Sequence, residues 1–392
     1  MAFFGVTIET IETARNHPNA DRLDICTLEG MSFQFITGRD SYKTGDQVLY
    51  FPIDSLFPME LMEKLGLTKE KKENGKVVLD EDGNPVIEGT LRGKDHNRLR
   101  IVKLRGALSQ GLVGDLSLLK PMVDADPDLQ KLTVKEIVKK LTTEDITSFL
   151  GVEKYDPPPV PCQNGNLHSL PSELTVYDIE GADRFVEASK LLMDLPVCIT
   201  EKLEGMNFSS TYRPKTEEFF VNQRGYTIIE KPAGERHMFW ETSWKLNLFE
   251  YMKKISEMFE VEKDDNHYFA NFDSLTFYGE FLGPGIQKNI YKLKEHTIRF
   301  FDVKIDGRFV PVEVKRNILG GLPMVPILAS DVTLREWLDG RTIQEVSNGK
   351  SVLNKDILRE GIVITPMVEG EHPSIGRLIL KQRSPDYLLG EK

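Results

Sequence analysis

Residues 196–210 read Pro196-Val-Cys-Ile-Thr-Glu201-Lys202-Leu-Glu204-Gly205-Met-Asn207-Phe-Ser-Ser210. The apolar, β-branched run from Val197 to Thr200 ends abruptly on charge. It predicts a strand that delivers Glu201 and Lys202 to its end, with Gly205 letting the backbone approach a ligand closely. A Lys-x-x-Gly tetrapeptide alone decides nothing, because the pattern recurs at Lys72, Lys103, Lys202, Lys231 and Lys304. In the last of these, Asp306-Gly307 joins two apolar runs and reads as a hairpin turn. Lys202 stands apart through an ordered series of segments downstream of it. Asn222-Gln-Arg224-Gly comes first, then Phe277-Tyr-Gly-Glu280-Phe-Leu-Gly-Pro-Gly-Ile-Gln-Lys-Asn289, then Phe301-Asp302 inside IRFFDVKI. Arg359-Glu360-Gly-Ile-Val363-Ile is next, and finally Arg377-Leu-Ile-Leu-Lys381-Gln-Arg383-Ser-Pro-Asp-Tyr387-Leu.

Around this segment the strands Glu218–Asn222, Leu275–Phe281, Thr297–Ile305, Arg308–Val314, Gly361–Thr365 and Arg377–Lys381 are expected. Leu248, Met252, Ile255 and Phe259 form one helical stripe, and the Met and aromatic residues from Phe239 to Phe259 read as core. The part upstream is different. Val6–Thr13, Leu23–Leu28, Phe33–Thr37 and Gln47–Phe51 are short strands between Asn, Asp, Gly and Pro turns. VVLDEDGNPVIE reads as a hairpin around Asp82-Gly83, and the pattern to about residue 120 suggests a small β-barrel. Residues 121–150 are helical and charged, with Thr133 and Thr143 as N-caps. Asp156-Pro-Pro-Pro-Val-Pro161 is stiff extended chain of the kind found in linkers.

The chain has 392 residues, 50 Lys+Arg against 61 Asp+Glu, a net charge of −11, and 28% charged and 40% hydrophobic residues. That composition is globular, long enough for two or three domains with sizeable cores, and too acidic for a uniformly basic nucleic-acid coat. Three cysteines (Cys26, Cys162, Cys198) form neither a disulfide framework nor a CxxC pair, and the seven histidines make no HxxxH pair. A cytoplasmic or other reducing compartment without structural zinc is the expectation. No membrane span and no signal peptide are expected. One local exception to the acidity is Arg92, Lys94, Arg98, Arg100, Lys103 and Arg105, six cations within fourteen residues opposed by Asp95 alone, a local charge of +5. On a barrel, one basic strand suits a nucleic-acid backbone; a solvated strand face is the competing reading.

Lys-x-x-Gly is the nucleophile motif of covalent nucleotidyltransferases. The ordered set beginning at Lys202 resembles motifs I, Ia, III, IIIa, IV and V of the ATP-dependent nucleic-acid ligase and capping-enzyme superfamily, over about residues 196–389. EKLEGMNFSS with YGEFLGPGIQKN looks most like the RNA ligases. HPNADRLDICTL resembles the start of the tRNA-binding OB modules attached to aminoacyl-tRNA synthetases. An OB barrel placed before the catalytic domain, with only eleven residues after Lys381, is similar to the fifth RNA ligase family, whose members seal nicked duplexes.

The resemblance implies an α+β protein. Residues 1–150 would be an OB-type β-barrel with a helical extension, 151–175 a Pro-rich linker, and 176–392 a nucleotidyltransferase domain with ATP-grasp-like antiparallel sheets plus helices. Lys202 would accept AMP from ATP. An amine must lose its proton to attack phosphorus, which burial and a nearby cation favour. Lys381 would meet the phosphoryl charge, and Glu280 and Glu360 would hold Mg²⁺ or Mn²⁺ through water. Phe301 and Val363 would sandwich adenine, with Glu201 on the base edge, Leu203 in the ATP site and Glu204 on the ribose. Asn207 and Arg224 would contact the adenylate phosphate or the RNA end. Relatives often carry Lys-x-Lys in the last motif; here either one lysine is lost or Arg383 replaces it. The implied partner is RNA with 3′-OH and 5′-phosphate ends, bound by a monomer. Alternatives are a non-catalytic RNA- or tRNA-binding OB protein with a degenerate nucleotidyltransferase domain, a DNA ligase and a guanylyltransferase.

Overall fold

The computed structural model describes residues 3–156, 167–258 and 272–390. Most of the Asp156–Pro161 run, Cys162 and Phe259 therefore lie outside the described residues. The chain divides into two compact units, residues 3–158 and 159–392.

The first unit is an OB-fold domain. The Thr7–Asn16 strand pairs with Gln47–Phe51 through its first half and with Leu23–Leu28 through its second, with an irregularity between Ile11 and Thr13. A bulge of this kind bends one strand into two parts of a barrel wall. Leu23–Leu28 pairs on to Gln34–Gly38, and Gln47–Phe51 to Leu112–Gly114. The barrel is nearly closed by Gln110 N–H donating to the Gln34 carbonyl at 3.0 Å and Ile36 N–H to Ser109 Oγ at 3.0 Å. Val48 and Tyr50 point into the barrel with Ile11, Cys26, Leu28 and Phe35. Leu49 and Phe51 pack outside it with Phe57, Leu61, Ile146 and Leu150. That two-sided burial is why Gln47–Phe51 is continuously apolar instead of alternating.

Two local expectations change here and a third holds. The cap of the Thr143–Phe149 helix is Thr142, not Thr143; its side chain accepts from Asp145 N–H in a capping box like that of Thr133. Residues 92–105 are not one strand. Arg92 and Arg98 bridge each other around a loop, and only Val102–Leu104 is extended, in a hairpin with Ala107–Ser109. The turn at Asp80–Asn84 forms as expected, with Asp80 Oδ1 accepting from Asp82 and Asn84 N–H.

The second unit holds two sheets. The seven-stranded sheet runs, edge to edge, Leu167–Ser169, Tyr226–Ile228, Glu218–Gln223, Met206–Arg213, Leu275–Leu282, Thr297–Ile305 and Arg308–Phe309. Helices Met238–Lys245, Leu248–Met258 and Val312–Leu319 cover one face over a core containing Phe208, Phe277, Phe281 and Phe300. The five-stranded sheet runs Glu180–Gly181, Leu380–Arg383, Gly361–Pro366, Pro196–Lys202 and Ile327–Thr333. Its core joins Leu192, Ile199, Leu334, Ile362 and Leu380.

Two strand expectations fail for identifiable reasons. Arg308–Val314 extends only over Arg308–Phe309; Val312–Leu319 is a helix preceded by Pro311. The alternating Val310, Val312 and Val314 mimic a period of two, but Val312, Lys315, Ile318 and Leu319 are the buried positions, a helical spacing. Arg377–Lys381 is not one strand either. Gly376–Arg377 pairs with Glu371–His372, whereas Leu380–Arg383 pairs with Gly361–Ile364. The Asp306-Gly307 hairpin forms as expected, both residues having positive φ (47° and 76°).

Candidate active site

Pro196–Lys202 is central in its sheet, pairing with Gly361–Pro366 on one side and Ile327–Thr333 on the other. Lys202 stands opposite Gly361, so Glu360 falls beside it, and Lys202 Nζ donates to Glu360 Oε1 at 2.6 Å. Gly361 is required here: a Cβ would lie 2.1 Å from the Gln382 carbonyl oxygen. Gly205 is also required by packing: a Cβ there would meet the Phe281 carbonyl oxygen at 2.5 Å and Glu280 Cγ at 2.8 Å on the neighbouring strand.

Glu280 lies on Leu275–Leu282, directly opposite Asn207. Burial pushes its pKa up to about 7, opposed by the Lys202 cation, assisted by the Glu360 charge and opposed again by a hydrogen bond from the Gly205 backbone. Lys381 stands opposite Val363. Burial lowers its pKa to about 8, against the pull of Asp178, whose Oδ1 is 3.9 Å from its Nζ.

Phe301 owes its position to a second bulge. Tyr278 pairs with Asp302 and Gly279 with Phe300, leaving Phe301 as the extra residue. Gly279 makes room, since a Cβ would approach Ile298 Cγ2 to 2.6 Å. Phe300 thus enters the core while Phe301 turns the other way, into a cavity of ≈ 250 Å³. Val363, Glu201, Lys202, Leu203, Asn207, Arg224, Glu280 and Lys381 line the same cavity. Glu201 Oε2 accepts from Val352 N–H at 2.8 Å, while its Oε1 is buried without a partner. Glu360 reaches the cavity through Lys202, and its Oε2 is likewise buried and unpartnered. Glu204 takes a hydrogen bond from the Tyr387 hydroxyl, and its own N–H donates to Tyr291 Oη at 2.7 Å. Arg383 lies on the Lys381 strand opposite Gly361, and its charge lowers the Lys381 pKa further.

Several cavity residues carry no sequence signal. Asp178 holds Arg224 at 3.1 Å and Lys381 at 3.9 Å. Tyr177 packs against Phe301 with the rings tilted at 59° and 5.1 Å between centroids, and its hydroxyl donates to Asp302 at 2.7 Å. Burial pushes the Asp302 pKa up, but the Arg377 and Lys315 cations outweigh it and hold the carboxyl at about 2. Met324 and Val325 reach the cavity because their segment pairs with the bulged strand, Val325 N–H donating to the Phe300 carbonyl. Arg359, part of the Glu360 motif, is structural: its guanidinium donates to the Val346, Ser347 and Asn348 carbonyls.

Among the described residues no group of three His, Cys, Asp or Glu side chains could hold a metal ion by itself. The donors present, Glu280 and the unpartnered Glu360 Oε2, fit a hydrated Mg²⁺ or Mn²⁺ held through water.

In the first unit the basic residues are not equivalent. Arg98 is committed, with Nη2 2.6 Å from Asp54 Oδ1 and its guanidinium 3.4 Å over the Tyr155 ring. Arg92, Lys94, Arg100, Lys103 and Arg105 are exposed.

An OB-fold domain and a nucleotidyltransferase-like domain with a lysine-centred cleft define the class of protein. Residues 195–382 match a family model described as RNA ligase, and residues 5–80 match an OB-fold domain model. The two stretches are thus similar to an RNA ligase family domain and, before it, to an OB-fold domain. Among solved structures it is similar in fold to Naegleria gruberi RNA ligase with PPi, at TM-score 0.70 and 22% identity over 100% of this chain and 99% of that one. A mutant of the same ligase with AMP and Mn matches at TM-score 0.69 and 21% identity, covering 98% of both chains. Another with ATP and Mn matches at 0.68 and 22%, again over 98% of both. No curated protein matches the sequence.

Proposed function

We propose that the protein is an ATP-dependent RNA ligase that works through a covalent lysyl-AMP. The observation that supports this most is the meeting of the Lys202 amine with Glu360 at 2.6 Å, in a cleft shared with Glu280 and Lys381, inside an RNA ligase domain. In the first step the Lys202 Nζ lone pair attacks the α-phosphorus of ATP. An N–P bond forms, the bond to the bridging oxygen breaks, and pyrophosphate leaves with the electron pair. Glu360 Oε1 is placed to take the amine proton. Lys381, Arg224 and Asn207 meet the charge on the phosphoryl oxygens. In the second step a 5′-phosphate oxygen of RNA displaces Lys202, giving A(5′)pp(5′)RNA. In the third a 3′-OH attacks the RNA phosphate and AMP departs. Glu280 and Glu360 would hold Mg²⁺ or Mn²⁺ through water, adding positive charge beside the reacting phosphate.

Phe301 and Val363 line the cavity as an apolar sandwich for adenine, with Leu203 beside them. Glu204, held by the Tyr387 hydroxyl outside that lining, is assigned the ribose. The unpartnered Glu201 Oε1 favours adenine over guanine. An exocyclic amine donates to it, whereas a guanine carbonyl would face a second acceptor. The substrate is RNA with 3′-OH and 5′-phosphate ends at a nick in a duplex, held by the OB domain through Arg92, Lys94, Arg100, Lys103 and Arg105. The protein acts as a monomer in a reducing compartment, in RNA repair.

Incubation with α-labelled ATP or GTP tests the reading. Label from ATP should stay on the denatured protein through alkali, be released by acid as a phosphoramidate bond requires, and vanish in Lys202→Ala. Labelling from GTP instead would make the protein a guanylyltransferase, and no adduct from either would leave a non-catalytic RNA-binding protein. Sealing assays with RNA or DNA on each side of the nick then decide the strand preference.

A further inference from the structure

Lys304 carries the Lys-x-x-Gly pattern but plays no part around Lys202. It lies on Thr297–Ile305, two residues beyond Asp302, and lines a second cavity of ≈ 170 Å³ with Tyr177, Tyr278, Phe309 and Arg377. Lys304 is only 9% exposed and Tyr278 only 2%. Among the described residues the Lys304 ammonium has no carboxylate partner. It faces the Phe309 ring at 4.6 Å and the Tyr278 ring at 6.0 Å. The Tyr278 hydroxyl is buried without a hydrogen-bond partner. A buried hydroxyl without an acceptor, beside an ammonium without a carboxylate partner in the same cavity, is an unusual cost in a folded protein.

The surrounding charges leave a cation in excess. Asp302 is paired with Arg377 at 2.6 Å and Lys315 at 3.4 Å, and Glu369 with Arg377 at 2.7 Å. Two carboxylates thus answer three cations. Asp178 and Glu180 also line the cavity. Asp178 is engaged by Arg224 and Lys381, and the Glu180 charge acts on Lys381. Burial, then the Arg377 cation, lower the Lys304 pKa, so an anion beside it would be favoured twice: as an acceptor and as a counter-charge.

We propose that this second cavity is an anion site for a small tetrahedral oxyanion of the phosphate class, with Lys304 Nζ and Tyr278 Oη as its donors. The Arg377 donors are spent on Asp302 and Glu369, so its guanidinium contributes field rather than hydrogen bonds. The cavity, smaller than the ≈ 250 Å³ nucleotide cleft, suits a small anion. The site does not depend on the ligase reading.

The test titrates inorganic phosphate against the full chain, at constant ionic strength and without nucleotide or divalent metal, and follows Tm. A rise in Tm that follows ln(1 + [phosphate]/Kd), roughly 3 °C at tenfold excess over Kd, is expected. Lys304→Met keeps the apolar stem and removes the ammonium; it should abolish the rise. Tyr278→Phe should weaken the affinity about tenfold. Lys381→Met, which strips a cation from the first cavity, should leave the rise intact. Loss in Lys381→Met with retention in Lys304→Met would place the phosphate in the nucleotide cleft and overturn the proposal. No rise in Tm with phosphate in the parent chain would leave the cavity to water and overturn it equally. Should Lys304→Met fail to fold, full-strength binding by Tyr278→Phe refutes the assignment alone.

Discussion

Glu280 holds a proton that the unfolded chain releases. Its pKa rises from 4.5 to about 7 on burial. Between those values the folded form binds the extra proton, so stability present at about pH 4.5 is lost as pH rises through about 7. Urea unfolding across this range should show that slope, and Glu280→Gln, which cannot ionise, should flatten it; an unchanged slope would remove Glu280 as its source. Lys381 has the opposite sign. Its pKa of about 8 means that its charge fades as pH climbs past 8. Metal-free ATP binding should weaken over that interval, and Lys381→Arg, with a charge that does not titrate there, should hold the affinity level. Lys202, Glu280, Glu360 and Lys381 are legible in the sequence because each sits in a short motif of unusual composition. Asp178 and Tyr177 are not, because YDIE has neither period nor motif and its role arises from contacts with residues far along the chain.

Elements differ in how openly they announce themselves. Gln47–Phe51 and Pro196–Lys202 are apolar runs between turns, and propensity and burial agree on them. Arg308–Val314 reads as a strand because the alternating Val310, Val312 and Val314 satisfy the wrong period, which only the packing of the Val312–Leu319 helix against the sheet corrects. The Phe301 bulge is invisible in the sequence, since any two adjacent phenylalanines break alternation without saying which one faces the core. The bulge gives paired predictions. Phe300 is fully buried, so Phe300→Ala should cost about 3–5 kcal/mol of stability. Phe301→Ala should cost much less and instead raise the Kd for ATP, measured calorimetrically. Equal losses of stability would mean that both rings serve the core. Gly361→Ala should impair adenylylation by moving the Glu360 strand away from Gln382, with a loss of stability in the same sample.

At the scale of the molecule, the OB-fold domain is a compact unit with its own two cores. A chain lacking residues 1–158 should still form the labelled adduct and should seal RNA poorly; unimpaired sealing would deny the barrel a role. Its basic residues should separate into two kinds. Arg98→Ala should lower Tm, because Asp54 and Tyr155 lose their partner, and should leave the salt dependence of RNA binding in place. Arg92→Glu with Arg100→Glu should weaken binding and reduce the magnitude of the log–log salt slope by about 0.7–0.9 for each RNA phosphate no longer neutralised. The barrel is legible from its short strands and turns, whereas the commitment of Arg98 is not, because Asp54 and Tyr155 lie far from it in sequence.

The extra residue at position 301 also sets the phase of everything downstream in its strand. Ile298 and Phe300 point to the core before it, and Val303 and Ile305 after it. Pairing the strand without the bulge, every residue kept, would rotate Asp302 and Lys304 inward among the phenylalanines and turn Val303 out, exchanging a charged wall for a greasy one. Removing Phe301 itself keeps Asp302 opposite Tyr278 and Phe300 opposite Gly279, so among one-residue deletions between Thr297 and Ile305 that one should give the highest soluble yield; a yield no better than its neighbours' would deny the bulge this role.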